Sequence, residues 1–365
     1  MPTSADTKPP TPEVAAATDA ALAEDASPVQ PPRSPLASLR RLIVTFGIWY
    51  LYVPHLALMR LVGPAAAVRL TRVMAWMHWL LTFAGGQKSA LRAIERNRPY
   101  FETKLSTRTI LRKYLETKHH HFVVWNLCAT PRGRAWVERT CSAFEGRETF
   151  EKARAESRGL LVLGYHFGSG RMLSITQARQ YGQDAFEIAH RPETYGRETM
   201  SYVARLAYDK MAEADEKSGL QHIYLSPGTP PLSAIRHLRK GHIVGIVGDG
   251  FMAGQFLDVP FLGGTMRFPI GVARLAVMAG CSIVPMFGLV DGVDRHHVVA
   301  HEPIRCEGDS PESVEQAMRA CAAVLENYVR RYPWAWWIWH RLNLETNPDG
   351  SLRMTCEAIT RDSGH

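Results

Sequence analysis

The sequence has 365 residues, of which 46% are apolar and 21% charged, and its net charge is +8. That balance supports a sizeable core, excludes a chain disordered throughout, and favours partners that carry negative charge, either nucleic acid or an anionic lipid surface. The six cysteines stand far apart, with no CxxC pair and no zinc-type spacing to histidine. They read as reduced thiols in a cytoplasmic setting rather than as a disulfide framework.

Residues 1–35 are rich in Pro, Ala, Thr, Ser and Asp, the composition of a disordered tail. No basic start precedes them and no apolar run begins before Leu42, so they do not read as a signal peptide. The run 42–59, LIVTFGIWYLYVPHLALM, follows Arg40 and Arg41 and is closed by Arg60. It just reaches the length of a membrane crossing, and Pro54 and His55 interrupt it. It therefore reads as an anchor, either crossing the bilayer or bent along its interface, with a buried helix as the other reading. Met74 to Ala84 is too short to span and contains His78, so it is expected along the surface or against the first helix. Together, residues 36–86 are taken as a membrane-anchoring helical segment. Trp49, Trp76, Trp79, Trp334, Trp336, Trp337 and Trp339 sit in apolar surroundings near Arg or His. That placement suits a membrane interface, although core packing accounts equally well for the C-terminal four.

Residues 87–127 read as helices rich in Lys and Arg. The run His119-His120-His121 resembles a metal set only on paper, because consecutive helical residues point in different directions. From about residue 137 helical segments alternate with short apolar runs. Strands are expected at 159–164, 242–247, 282–287 and 297–300, and helices at about 147–157, 198–213, 231–240 and 269–279. Gly241 and Gly280 fit the position just past a helix end. The alternation argues for an α/β fold with its sheet covered on both faces. A last long helix is expected from Pro311 to Arg331, capped by Ser310 and stopped by Pro333, with Val314, Met318, Cys321, Leu325 and Tyr328 on its core face. Residues 87–345 form one domain on this reading, and 346–365 a loose polar tail.

Three stretches could carry chemistry. Gly164-Tyr-His166-Phe-Gly168-Ser169-Gly170-Arg171 lies where a strand ends and a helix begins. Active sites of open α/β sheets gather there, and a histidine so placed can take a proton from a hydroxyl. Gly168 and Gly170 would let substrate approach the backbone closely. Gly248-Asp249-Gly250 also follows a strand, but the absence of a following helix rules against a dinucleotide site. Asp249 could orient a catalytic group or serve only as a turn residue. Gly264 and Arg267, in a glycine loop before a helix, could seat an anion. No G-x-S-x-G elbow, Walker A sequence or nucleic-acid module is present, so nucleic acid is not an expected partner.

The chain resembles the bacterial lipid A late acyltransferases, the lauroyl and myristoyl transferases, and the phosphatidylinositol mannoside acyltransferases grouped with them. The likeness covers about residues 36–345 and rests on the apolar N-terminal run, FEGRE leading into GLLVLGYHFG, His190-Arg191-Pro192, Val244 to Asp249, VPFLGGTMRFPIGVARLAVMAGCSIVPMF, and the ending from Glu326 to Arg341. The resemblance implies a glycerol-phosphate-acyltransferase-like mixed sheet flanked by helices, with an N-terminal membrane-anchoring helix. It implies transfer of an acyl chain from an acyl carrier protein or acyl-CoA thioester to a hydroxyl of a membrane lipid or glycolipid. No metal and no cofactor beyond that co-substrate is expected, and the catalytic domain should face the cytoplasm at an anionic inner-membrane surface. His166 is the implied base. The family's acid follows its histidine by five positions, and here Arg171 stands there. Asp249 could supply the missing acid, the histidine could act alone, or the chain could be a degenerate member that binds lipid or carrier without transfer. Gly168, Ser169, Arg171, Arg191, Gly264, Arg267 and Arg341 are the expected substrate-binding positions.

Overall fold

A computed structural model describes residues 54–82, 87–190, 202–225, 231–250, 255–292 and 295–356. The expected tail at 1–35, most of the apolar run 42–59, and Arg191 lie outside the described residues. Eleven helices are described: α1 (Pro54–Val62), α2 (Pro64–Thr82), α3 (Lys88–Asn97), α4 (Thr107–Cys128), α5 (Pro131–Thr140), α6 (Arg147–Glu156), α7 (Gly170–Tyr181), α8 (Tyr202–Lys217), α9 (Leu232–Arg239), α10 (Gly271–Ala279) and α11 (Pro311–Arg331). The strands are β1 (Cys141–Glu145), β2 (Leu160–Gly164), β3 (Ala185–His190), β4 (Gln221–Leu225), β5 (Ile243–Val247), β6 (Phe256–Phe261), β7 (Gly264–Pro269), β8 (Ser282–Val290), β9 (His296–Ala300), β10 (Leu342–Thr346) and β11 (Leu352–Cys356).

Local chemistry sets the helix ends. Ser106, Thr130 and Ser310 each accept a backbone N–H three residues on, at the starts of α4, α5 and α11. Pro131 and Pro311 occupy first-turn positions where no hydrogen bond is lost. Gly241 and Gly280 take positive φ just past α9 and α10.

Seven strands form the main sheet in the order β1-β9-β8-β2-β5-β3-β4. All neighbours are parallel except β8 and β9. Alternation along β2 explains how both faces are covered. Leu161 and Leu163 join the large cluster that includes α10 and α11, whereas Leu160 and Val162 join Phe150, Val284 and Val298 on the opposite face. The expected covered α/β sheet is therefore present. A second sheet, β10-β11-β7-β6, adds four strands. It replaces two sequence-based expectations. The stretch 264–269 is a strand, not a loop: β6 and β7 form a hairpin whose two turn residues, Leu262 and Gly263, both have positive φ, as a primed turn requires. The end of the chain is not loose through residue 356. It folds back as β10 and β11, pairs with β7, and buries Met354 completely.

No helix of the described residues is long and apolar enough to cross a membrane. The helix α2 lies against α4, and its Val73, Trp76, Met77 and Leu80 remain 44–51% exposed.

Candidate active site

The site is built by register. β2 and β5 run parallel, with Gly164 opposite Val247. His166 and Asp249 each lie two residues beyond that pair, so both leave the same end of the sheet side by side. The N–H of Gly248 donates to the Gly164 carbonyl and carries the pairing past the strands (2.9 Å). His166 Nδ1 then sits 2.9 Å from Asp249 Oδ1. A carboxylate only accepts, so Nδ1 bears the hydrogen and Nε2 keeps its lone pair. The His166 side chain is 33% exposed, while that of Asp249 is fully enclosed.

Asp249 is tightly held. It also accepts from the His166 backbone N–H (3.0 Å) and from the indole Nε1 of Trp336 (2.8 Å). Trp336 has no exposed surface. Its segment runs antiparallel to the histidine loop: Phe167 bridges Trp336, the Gly168 N–H donates to Ala335 O, and the Trp337 N–H donates to His166 O. The residues after α11 thus fix both members of the pair. A buried carboxylate with three donors in set directions can hold an imidazole in one tautomer and offset its charge when it is protonated.

A family model described as bacterial lipid A biosynthesis acyltransferase matches residues 36–344. The chain belongs to that family. No curated relative matches the sequence significantly. Membership points to acyl transfer with a lipid acceptor as the activity. The acid facing His166 comes from the end of the neighbouring strand, β5.

Arg171, five residues after His166, makes its contacts elsewhere. Its side chain is 4% exposed and ion-pairs with Asp215 on α8 and with Glu187 on β3 (3.5 Å), while Nη2 donates to Ser218 (3.0 Å). His222 lies 3.6 Å from Glu187 in the same network. Burial raises the Asp215 carboxyl above its ordinary range, against the pull of Arg171. Arg171 is therefore a structural cation with its own carboxylates, not a substrate contact.

The other expected positions are placed as follows. Gly168 has φ 55°, and a Cβ there would lie 2.2 Å from the Gly288 carbonyl. The glycine lets the loop pack closely on β8. Ser169 is completely enclosed, and its N–H is spent on Gly288 O. Gly264 is needed because β7 approaches β11: a Cβ would meet Leu352 O at 2.0 Å. Arg267 stands on the outer face of the β6–β7 hairpin, paired across the strands with Asp258 (3.4 Å). Arg341 is half-buried beside Tyr114, Lys118 and His340, close to the site.

Sequence reasoning missed Trp336 as a ligand of Asp249. It also missed the face of α4 that carries Tyr114, Lys118, His121 and Trp125. The three histidines of the run go to three places: His119 to His78, His120 to His296, and His121 between Trp125 and Trp337. Their helical spacing already required this divergence.

Proposed function

We propose that this protein is a membrane-associated O-acyltransferase that moves a fatty acyl group from a carrier-protein or coenzyme A thioester to a hydroxyl of a lipid or glycolipid. The observation that carries the reading is the His166–Asp249 pair, held at the ends of adjacent parallel strands with the histidine side chain one-third exposed. His166 Nε2 removes the acceptor hydroxyl proton as the oxygen attacks the thioester carbonyl. The C–O bond forms, the C–S bond breaks, and the proton passes from His166 to the departing thiolate. Asp249 keeps Nδ1 protonated and supports the imidazolium between the two transfers.

Membrane association is supported by the exposed stripe Val73, Trp76, Met77 and Leu80, at the i, i+3, i+4, i+7 spacing of one helix face. Leu61 and Val62 extend the apolar surface, and exposed Arg69 and Arg72 flank it, as suits an anionic bilayer. We place the protein at the inner membrane, with its catalytic domain towards the cytoplasm.

The test uses purified protein with anionic vesicles, a long-chain acyl thioester and a lipid extract as acceptor, following thiol release and acyl-lipid formation. His166→Ala should lower transfer by about 10²–10⁴-fold or more, the range for loss of a general base. Undiminished transfer in a folded His166→Ala variant would overturn the reading.

A further inference from the structure

The corner between α4 and α5 carries charges of the sign that a helix start disfavours. Thr130 accepts from the Gly133 N–H and Pro131 opens α5, so the new helix begins within three residues of Cys128. No acidic residue lies in its first turn, and Arg132 and Arg134 stand there instead. The positive end of a helix dipole attracts anions and repels cations. Arg134 resolves the conflict by reaching carbonyls: it donates to Cys128 O (2.9 Å) and to Lys217 O (2.6 Å), which pins the end of α8 to the corner. Arg132 does not. It is exposed and has no hydrogen-bond or ion-pair partner among the described residues. Its Nη2 stands over the turn between α1 and α2, 3.2 Å from where a Cβ on Gly63 would lie.

Between these elements lies an open pocket of about 220 Å³, space for several waters and so for a phosphate group. Its walls include Pro64 at the start of α2, Thr130 and Arg132 at the corner, and Lys210, Glu213 and Lys217 on α8. Glu213 accepts from both lysines (2.7 and 2.6 Å), and they hold its carboxyl down to about 2. One ionised carboxylate thus faces three cationic side chains, so two positive charges in the lining are left uncompensated. Neither His166 nor Asp249 lines the pocket. The residues just before Pro64 are of the opposite kind. Leu61 is 82% exposed and Val62 is exposed beside it, and only Gly63 separates them from the pocket wall. Exposed aliphatic side chains next to a cationic hollow match the two parts of a phospholipid, its chains and its anionic headgroup.

We propose that this pocket seats the phosphate of an anionic membrane phospholipid, held by Arg132, Lys210 and Lys217, with the lipid chains along Leu61 and Val62. A phosphodiester brings a negative charge and several acceptor oxygens, which Arg and Lys meet through charge-assisted hydrogen bonds. It also puts an anion at the start of α5, the sign that the helix favours. The walls are set beforehand, because Arg134 ties α8 to the α4–α5 corner, and a preformed site loses little to ordering on binding. A soluble phosphate would engage the same cations but leave Leu61 and Val62 in water, which favours the lipid. The seat rests on the membrane association proposed for this protein and adds a choice of lipid to it; it does not depend on turnover.

The test is sedimentation of the purified full-length protein with phosphatidylcholine vesicles, with and without phosphatidylglycerol. Arg132→Gln should weaken binding to the phosphatidylglycerol vesicles by about tenfold, the order of one charge-assisted hydrogen bond lost, and leave binding to pure phosphatidylcholine unchanged. Lys210→Gln combined with Lys217→Gln should weaken it similarly. Arg139→Gln removes the same charge from an exposed position on α5 outside the pocket and should cost about threefold or less, the scale of a screened surface charge. Melting curves like that of the native protein show that the variants are folded. Labelling of Arg132 with phenylglyoxal, read by mass spectrometry, checks the source of the phosphate. Phosphatidylglycerol vesicles should slow it by about fivefold or more, and inorganic phosphate at the same concentration should protect far less. Equal protection by inorganic phosphate would make the occupant a soluble anion and overturn the proposal. Unchanged binding in the folded pocket variants, or losses as large in Arg139→Gln as in Arg132→Gln, would overturn the pocket and leave the membrane reading standing. Native protein that binds neither kind of vesicle would overturn both.

Discussion

Two basic side chains, five residues apart, meet carboxylates in opposite ways. His166 lies one-third exposed at the end of β2 against a single carboxylate, Asp249. Arg171 lies in the first turn of α7, 4% exposed, and is shared by Asp215, Glu187 and Ser218. The first arrangement leaves part of the imidazole exposed beside a buried carboxylate. The second closes a permanent charge off from solvent and balances it locally. The difference teaches that the partner of His166 is set by strand register in space, and that the nearest charged residue in sequence can belong to a separate network.

The largest way to break that contrast is to exchange the charges. Arg171→Glu would put a carboxylate five residues after His166 in sequence, yet it would be the third carboxylate beside Glu187 and Asp215. Leaving buried charges unpaired costs about 3–5 kcal/mol, so the variant should unfold at markedly lower denaturant and show no gain in transfer. Normal stability with raised activity would mean that residue 171 turns towards His166. A smaller effect is expected at Trp336. Trp336→Phe keeps the ring but removes the donor to Asp249, a bond to a charged group worth about 1.5–3 kcal/mol. Transfer should fall by about tenfold with the melting temperature lowered, and an unchanged rate would show that Asp249 needs no such support.

The smallest effect is a pH dependence away from the site. His78 meets His119 (3.0 Å) between α2 and α4, and His120 meets His296 (3.2 Å) between α4 and β9. Burial pushes His78 down to about 4 and His120 down to about 3. Both are neutral in the folded protein, whereas in the unfolded chain they take up protons below about 6.5. Stability is therefore fully present above about pH 6.5 and is lost as pH falls towards 4, by at most about 1.4 kcal/mol per group per pH unit. Thermal melts from pH 7.5 to 5 should show this decline, and His78→Phe should flatten part of it. An identical pH profile in that variant would remove His78 from the account.

The strands that carry the site were legible because β2, β5 and β8 are short continuous apolar runs, the pattern of parallel strands buried on both faces. The strands β4 and β7 were not. β4 reads QHIYL and β7 reads GTMRFP, with polar and glycine residues whose strand character comes from pairing partners rather than from their own pattern. His166 and Asp249 could be singled out because each follows a legible strand. Their contact required the register of β2 on β5, which no local pattern encodes. Trp336 hid in a cluster of tryptophans that suits an interface as well as a core. At Gly168 and Gly264 the structure shows a packing reason for glycine that the sequence did not reveal: a neighbouring carbonyl occupies the space of a Cβ at each.

The most direct measurement is a double-mutant cycle on acyl transfer with His166→Ala, Asp249→Asn and the pair. If Asp249 works through His166, Asp249→Asn alone should cost about 10²-fold or more, and the double variant should be no slower than His166→Ala. Full activity in Asp249→Asn, or losses that multiply in the double variant, would contradict the dyad.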